Sequence, residues 1–173
     1  MMGDNNNLIE KANELKKNEK FEESLEILEK LHKKYPNSEK VKKELIDTLF
    51  SYGGYLNDDY VLEYTKAKNN FKRIIEIDPN NYRALYNLGI AYFNLGNLSK
   101  AESAYEQAIK IKPDYKHCYY NIGLIHEVNE NLKEALKFYK KALEIDPKFI
   151  YALQAKKYVK EKLNAQKRDI PDS

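Results

Sequence analysis

The sequence predicts an all-α solenoid of helix-turn-helix repeats, and three observations carry that expectation. The segment NLGIAYFNLGNLSKA at 87–101 recurs as NIGLIHEVNENLKEA at 121–135, a shift of 34 residues. Pro79, Pro113 and Pro147 keep the same spacing, each closing a helical run such as AIKIKP or ALEIDP. Within one copy, Leu85, Leu88, Gly89 and Tyr92 fall on one helical face, as do Ala101, Tyr105 and Ala108 on the next helix. A single hairpin covers neither face, so neighbouring hairpins must stack to bury them.

The elements follow in order: residues 1–4 without order, repeats at 5–38, 39–81, 82–115 and 116–149, a closing helix at 150–167, and a disordered tail at 168–173. Small residues that let paired helices approach recur in columns. The first reads Ala12, Ile46, Gly89, Gly123, the second Ser24, Ala67, Ala101, Ala135, and the third Leu31, Ile74, Ala108, Ala142. A column of large residues on the second helix reads Leu28, Phe71, Tyr105 and Tyr139, and Pro36 joins the proline series. Asn97 and Asn131 stand where second helices start, and Asn131 with Glu134 has the spacing of a capping box. After residue 149 the pattern gives way to a lysine-rich amphipathic helix, suited to covering the last repeat and facing water.

The columns weaken toward the N-terminus, where Lys11 and Lys42 replace apolar residues and Ile46 a small one, so the first two repeats are expected to fray first. The second repeat also carries nine extra residues, read as Gly54 through Leu62. Gly53 aligns with the turn residue Gly96, and Tyr64 with Leu98 and Leu132. On that alignment Gly53 and Gly54 end the first helix, and Asp58 or Asp59 caps a second helix that begins about a turn early. Tyr55 and Tyr60 are then expected to pack on a neighbouring turn.

This pattern resembles the tetratricopeptide repeat family, over nearly the whole chain. The resemblance implies a right-handed superhelical α-solenoid whose first helices line a concave, peptide-binding groove. Carried over residue by residue, the groove positions are Asn6, Ile9, Glu10 and Asn13, then Lys40, Lys43, Glu44 and Asp47. Arg83, Tyr86, Asn87, Ile90 and Phe93 follow, then His117, Tyr120, Asn121 and Leu124, with Tyr151, Gln154 and Tyr158 from the closing helix.

Composition narrows the function. The 173 residues hold 30 basic and 27 acidic side chains, mostly interspersed, for a net charge of +3. That is a mixed solvated surface, not a phosphate-binding field. The lysines at 156, 157, 160, 162 and 167 read as the solvated face of the last helix, and acids accompany bases in the groove, so RNA binding is the weakest reading. The N-terminus MMGDNNNLIEKANELKK has no apolar core of a signal sequence and no stretch approaches a membrane span, which makes a cytoplasmic protein the simplest expectation.

The sequence holds no glycine-rich phosphate loop, nucleophile elbow or metal-spaced cluster, so the expectation is a non-enzymatic protein with no cofactor and no metal. His126 takes the core column of Tyr92, and His117 lies nine residues away, on the opposite side of a helix. Cys118, in the column of Val41 and Ala84, reads as a small buried residue.

Co-chaperones of the family grip a C-terminal carboxylate of heat-shock proteins with Lys and Asn, then Asn, then Lys and Arg on successive first helices. The best placement here offers Lys43 and Asp47, Asn87, then His117 and Asn121. Asp47 would repel the carboxylate, so this clamp is not expected. What remains is a ladder of Asn87 and Asn121 along a peptide main chain. Two such contacts supply roughly 1–3 kcal/mol, while micromolar binding takes about 8, so apolar burial must supply the rest. The resemblance therefore implies an adaptor that binds a linear segment of another protein. Self-assembly into a homo-oligomeric scaffold is the structural alternative.

Overall fold

The computed structural model describes residues 2–58 and 60–168, with side chains over 5–58 and 60–166. Among them run nine helices: α1 (Met2–Lys17), α2 (Phe21–Lys34), α3 (Glu39–Leu56), α4 (Tyr64–Ile77), α5 (Tyr82–Asn94), α6 (Leu98–Ile111), α7 (Lys116–Val128), α8 (Leu132–Ile145) and α9 (Ile150–Arg168). No strand occurs among the described residues. The helix α1 begins inside the segment 1–4 expected to lack order, while Met1, Asp59 and the tail at 169–173 lie outside the described residues. No described helix is long and apolar enough to cross a membrane. The chain forms two compact units, α1 to α5 ending at Leu95 and α6 to α9 starting at Gly96.

In each unit the columns read from the sequence are the core. Leu28 and Phe71 in the first unit, and Tyr105 and Tyr139 in the second, are all essentially inaccessible to solvent. One turn earlier on the same helices Ser24, Ala67, Ala101 and Ala135 are fully buried, as is Ala12 of α1. Such close approach admits a side chain only if its polar atoms are satisfied. Ser24 meets that condition by donating its hydroxyl to the carbonyl of Ala12 at 2.7 Å, which ties α2 to α1. On the outer side of the first unit Arg73 of α4 donates through Nε and Nη2 to both carboxylate oxygens of Glu29 on α2, each at 2.8 Å. This fork raises the Arg73 pKa further.

The second repeat departs from its reading in the sequence. Gly53 and Gly54 do not end the first helix, because α3 continues through both to Leu56. A β-carbon added at Gly53 would lie 2.8 Å from Cζ of Phe71, as one at Gly123 would lie 2.5 Å from Cε1 of Tyr139. Gly53, and not Ile46, therefore fills the small position opposite the large column, and Ile46 is only half-buried. Gly123 lies five residues after Cys118, whereas Gly53 lies twelve after Val41, so seven extra residues sit inside α3. Seven residues make nearly two whole turns, and the helix keeps its buried face.

The other two extra residues fall between Gly53 and the left-handed residue of the loop at 57–63. Its left-handed position is Leu62, φ 56°, five residues before Ala67. Glu19, Gly96 and Glu130 hold the same place before Ser24, Ala101 and Ala135, at φ 59°, 72° and 59°. Asp58 caps no helix. Its carboxylate accepts from the backbone N of Tyr60 within the loop at 2.9 Å, and α4 starts at Tyr64 without a side-chain cap. Tyr60 is 96% exposed, against the expectation that it packs, while Tyr55 leans on Phe21 with ring centroids 5.6 Å apart.

Capping also falls elsewhere than expected. Neither Asn97 nor Asn131 makes a side-chain cap, and their ψ values of 66° and 58° lie outside the extended region from which a cap side chain normally reaches the first turn. The caps sit before first helices instead: Ser38 Oγ accepts from Val41 N at 3.4 Å and Asn81 Oδ1 from Ala84 N at 3.1 Å.

Candidate functional site

In the second unit, α7 buries Cys118, Ile122, Gly123 and Ile125 on one face. Helical spacing then puts His117, Tyr120, Asn121 and Leu124 together on the other, each half-buried. Beside this face runs α9, anchored by the buried Ala152 and Val159. Tyr120 and Leu124 rest on the cluster of Leu132, Ala135, Tyr139 and Val159, so part of their surface is already committed to the fold. Tyr151 is different: it is 59% exposed, and its ring centroid lies 6.1 Å from that of Tyr120.

Phe149, immediately before α9, organises the group. Its ring meets His117 at 5.1 Å, Tyr120 at 5.5 Å and Tyr151 at 5.6 Å, all near edge-to-face, the geometry that aromatic quadrupoles favour. Lys116 Nζ lies 4.8 Å from the same ring centroid and pairs with Asp146 at the end of α8. Phe149 is absent from the sequence-derived groove residues. The signal was its column, because Asn81 is followed at 34-residue intervals by Tyr115 and Phe149, aromatic rings where a cap belongs.

Electrostatics keep this surface apolar. Burial, reinforced by the Lys116 ammonium and opposed by Asp146, holds the His117 imidazole below its ordinary pKa, which favours the neutral ring. Burial likewise pushes the Tyr120 hydroxyl upward. Tyr139 donates its hydroxyl to Glu127 at 2.6 Å, and its pKa rises through burial and that bond.

In the first unit the sequence-derived residues lie along α5. Arg83 is exposed, and Tyr86, Asn87, Ile90 and Phe93 are half-buried on one stripe. Asn87 Nδ2 donates to the carbonyl oxygen of Arg83 at 2.8 Å, so part of its amide is engaged within the helix. Earlier in the unit, Lys40 Nζ donates to Asn6 Oδ1 at 2.8 Å and Lys16 pairs with Glu44 at 3.7 Å, joining α1 to α3. Ile9 does not face solvent; at 4% exposure it is buried with Leu31 and Val41, since a short aliphatic side chain there sinks into the core. Lys43 and Asp47 line a shallow cavity together with Glu39 and Asp78.

The remaining candidate groups are structural in their surroundings. Cys118 is fully buried and its thiol is pushed up to about 12 by burial. The ring of His126 stacks on Phe138 at 5.2 Å, with Nε2 3.3 Å from a Glu102 oxygen. Among the described residues no three His, Cys, Asp or Glu side chains converge as metal ligands.

Comparison with known proteins agrees with this architecture. Family models described as tetratricopeptide repeat match residues 82–115, 118–149 and 13–38, and one described as TPR repeat matches 63–96. No curated protein sequence matches the chain. Among solved structures, the MamA protein is 22% identical, covers 97% of this chain and 87% of its own, and superposes with a TM-score of 0.72. The Sgt2 TPR domain from Aspergillus fumigatus is 25% identical, with coverage of 74% and 85% and a TM-score of 0.66. The first TPR of Spaghetti (RPAP3), bound to HSP90 peptide SRMEEVD, is 24% identical, with coverage of 69% and 93% and a TM-score of 0.63. The chain belongs to the tetratricopeptide repeat family.

Proposed function

We propose that this tetratricopeptide repeat chain is a non-enzymatic interaction module that holds a linear segment of another protein through apolar anchors. The observation that carries this reading is the aromatic surface of α7 and α9, where Tyr151 stands exposed beside Tyr120, His117 and Phe149. Exposed aromatic rings on a rigid helical frame bind with little loss of side-chain entropy, and burying one such ring contributes about 1.5–3 kcal/mol. Asn121 and Leu124 of α7 belong to this proposal as peptide contacts, and within the first unit Arg83, Tyr86, Asn87, Ile90 and Phe93 of α5 are proposed as contacts in their own right.

A carboxylate clamp is not part of it. The RPAP3 domain binds an acidic peptide, SRMEEVD, but here Asp47 stands at a clamp position, and in the cavity it lines, Glu39, Asp47 and Asp78 outnumber Lys42 and Lys43, with Lys42 already paired to Glu39. A cytoplasmic location and the absence of a cofactor accompany this reading as proposals.

Panning a random peptide display library on the folded chain tests the idea. Enrichment of peptides with an aromatic or aliphatic anchor, lost on Tyr151→Ala, supports it. Enrichment of acidic C-terminal peptides, or no enrichment, contradicts it. Self-assembly, the second reading, predicts that light scattering gives a mass rising with concentration in the absence of any peptide.

A further inference from the structure

The two long first helices, α3 and α9, each extend over the turn that precedes them, and each covers a cavity there. In the second unit that cavity, about 310 Å3, is lined by Glu130, Leu132, Lys133, Leu163 and Gln166 among others. Its counterpart in the first unit, about 330 Å3, is lined at the equivalent places by Glu19, Phe21, Glu22, Tyr52 and Tyr55. The correspondence is positional: Tyr52 and Tyr55 lie 11 and 14 residues after Val41, as Leu163 and Gln166 do after Ala152. Tyr52 lies within the stretch of α3 that holds its extra two turns, and Tyr55 follows Gly53 and Gly54.

The two cavities differ in their walls and at one charged position. In the first unit Tyr52 stacks on Phe21 at 5.2 Å and 19°, and Tyr55 tilts toward it at 5.6 Å, giving aromatic walls. Tyr52 donates its hydroxyl to Glu22 at 2.7 Å, which fixes that carboxylate at the rim. Glu19 is exposed, and Glu23 pairs with Lys20 at 3.3 Å, so three carboxylates surround the cavity against one ammonium. In the second unit Phe21, Tyr52 and Tyr55 are replaced by Leu132, Leu163 and Gln166, and Glu22 by Lys133, while Glu130 and Glu134 keep the places of Glu19 and Glu23. The fold alone therefore does not demand the aromatic walls or the carboxylate of Glu22.

We infer that the cavity between the α1–α2 turn and α3 is a second, independent binding site, which takes an arginine side chain of a basic segment on a partner polypeptide. A guanidinium stacks flat on tyrosine rings while its edge donates to carboxylates, which suits this pairing of Tyr52 and Tyr55 with Glu19 and Glu22. The Tyr52 hydroxyl, protonated at neutral pH, holds Glu22 in orientation through their 2.7 Å hydrogen bond. The cavity opens to solvent, which leaves room for the main chain of the bound segment outside it.

The test uses the full chain and the probe N-acetyl-arginine-N-methylamide, with the neutral citrulline analogue as its isostere, followed by amide NMR shifts. Saturable shifts confined to residues 19–23 and 52–55, about tenfold weaker with citrulline, are expected. The double variant Tyr52→Leu/Tyr55→Gln copies the lining of the second unit, a lining the fold already carries there, and should weaken the response by about threefold or more. Glu22→Lys should abolish it. No saturable shift at these amides, an equal response to citrulline, or an unchanged response in the double variant would overturn the assignment. Tyr151→Ala, which lies in the other unit, should leave it unaltered, so loss of this site and loss of the α7–α9 surface are separable.

Discussion

Gly53 lies so close to the Phe71 ring that a β-carbon there would meet Cζ at 2.8 Å, whereas a β-carbon on its neighbour Gly54 would meet nothing within 4 Å. Both glycines sit inside α3, so both carry the helix-propensity cost of about 0.5–1 kcal/mol relative to alanine. Gly54→Ala should recover that amount. Gly53→Ala must displace a ring that is 1% exposed and should cost about 1–2 kcal/mol net. Urea denaturation of the two variants should move the midpoint in opposite directions; equal shifts would mean that Gly53 is not a packing glycine.

Leu62 holds a left-handed backbone conformation, φ 56°, at a position where its side chain is 56% exposed. An L residue there costs roughly 1–2 kcal/mol, part of which glycine returns as unfolded-state entropy. Leu62→Gly should raise stability by about 0.5–1 kcal/mol and the thermal midpoint by about 2 °C. A lowered midpoint in scanning calorimetry would show that Leu62 packs more than its exposure suggests.

The depressed His117 pKa makes stability pH-dependent. Its unfolded value lies near 6.5 and its folded value lower, so between the two the unfolded chain binds the extra proton and stability falls as pH falls. The loss begins around the unfolded value and stops once pH passes below the folded one. The urea midpoint should therefore drop from pH 7.5 to 5.5, and His117→Gln should flatten that slope. A slope unchanged in the variant would assign it to other groups.

Cys118 reports on opening of α7. Buried and with its thiol pushed up to about 12, it should react with a thiol reagent at pH 8 orders of magnitude more slowly than a free cysteine. Sub-denaturing urea should accelerate the reaction in step with local unfolding. Rapid labelling of the folded protein would contradict the burial of that face.

Much of the fold is legible in the sequence because the large column Leu28, Phe71, Tyr105 and Tyr139 repeats with its small partners at Ser24, Ala67, Ala101 and Ala135. The extra residues of the second repeat were not, for a geometric reason. Seven residues return a helix almost to its starting face, so Gly53 fits the turn column and the packing column equally well until Phe71 decides. Caps misled for a related reason: Asn97 and Asn131 have the cap-forming side chains, but the backbone leaving the left-handed residues Gly96 and Glu130 does not direct them at the first turn. Of the candidate site, helical spacing gave the α7 face. Phe149, which joins that face to Tyr151, lies in the column of Asn81 and Tyr115, outside the small, large and proline columns that the repeat displays.

The most direct measurement is calorimetric titration of the best peptide recovered by panning into the wild-type chain and into the Asn121→Ala/Tyr151→Ala variant, after circular dichroism has established that both are equally folded. Loss of one main-chain contact and one aromatic anchor should weaken binding by at least about tenfold. An unchanged dissociation constant would place the peptide elsewhere on the chain and contradict the proposed site.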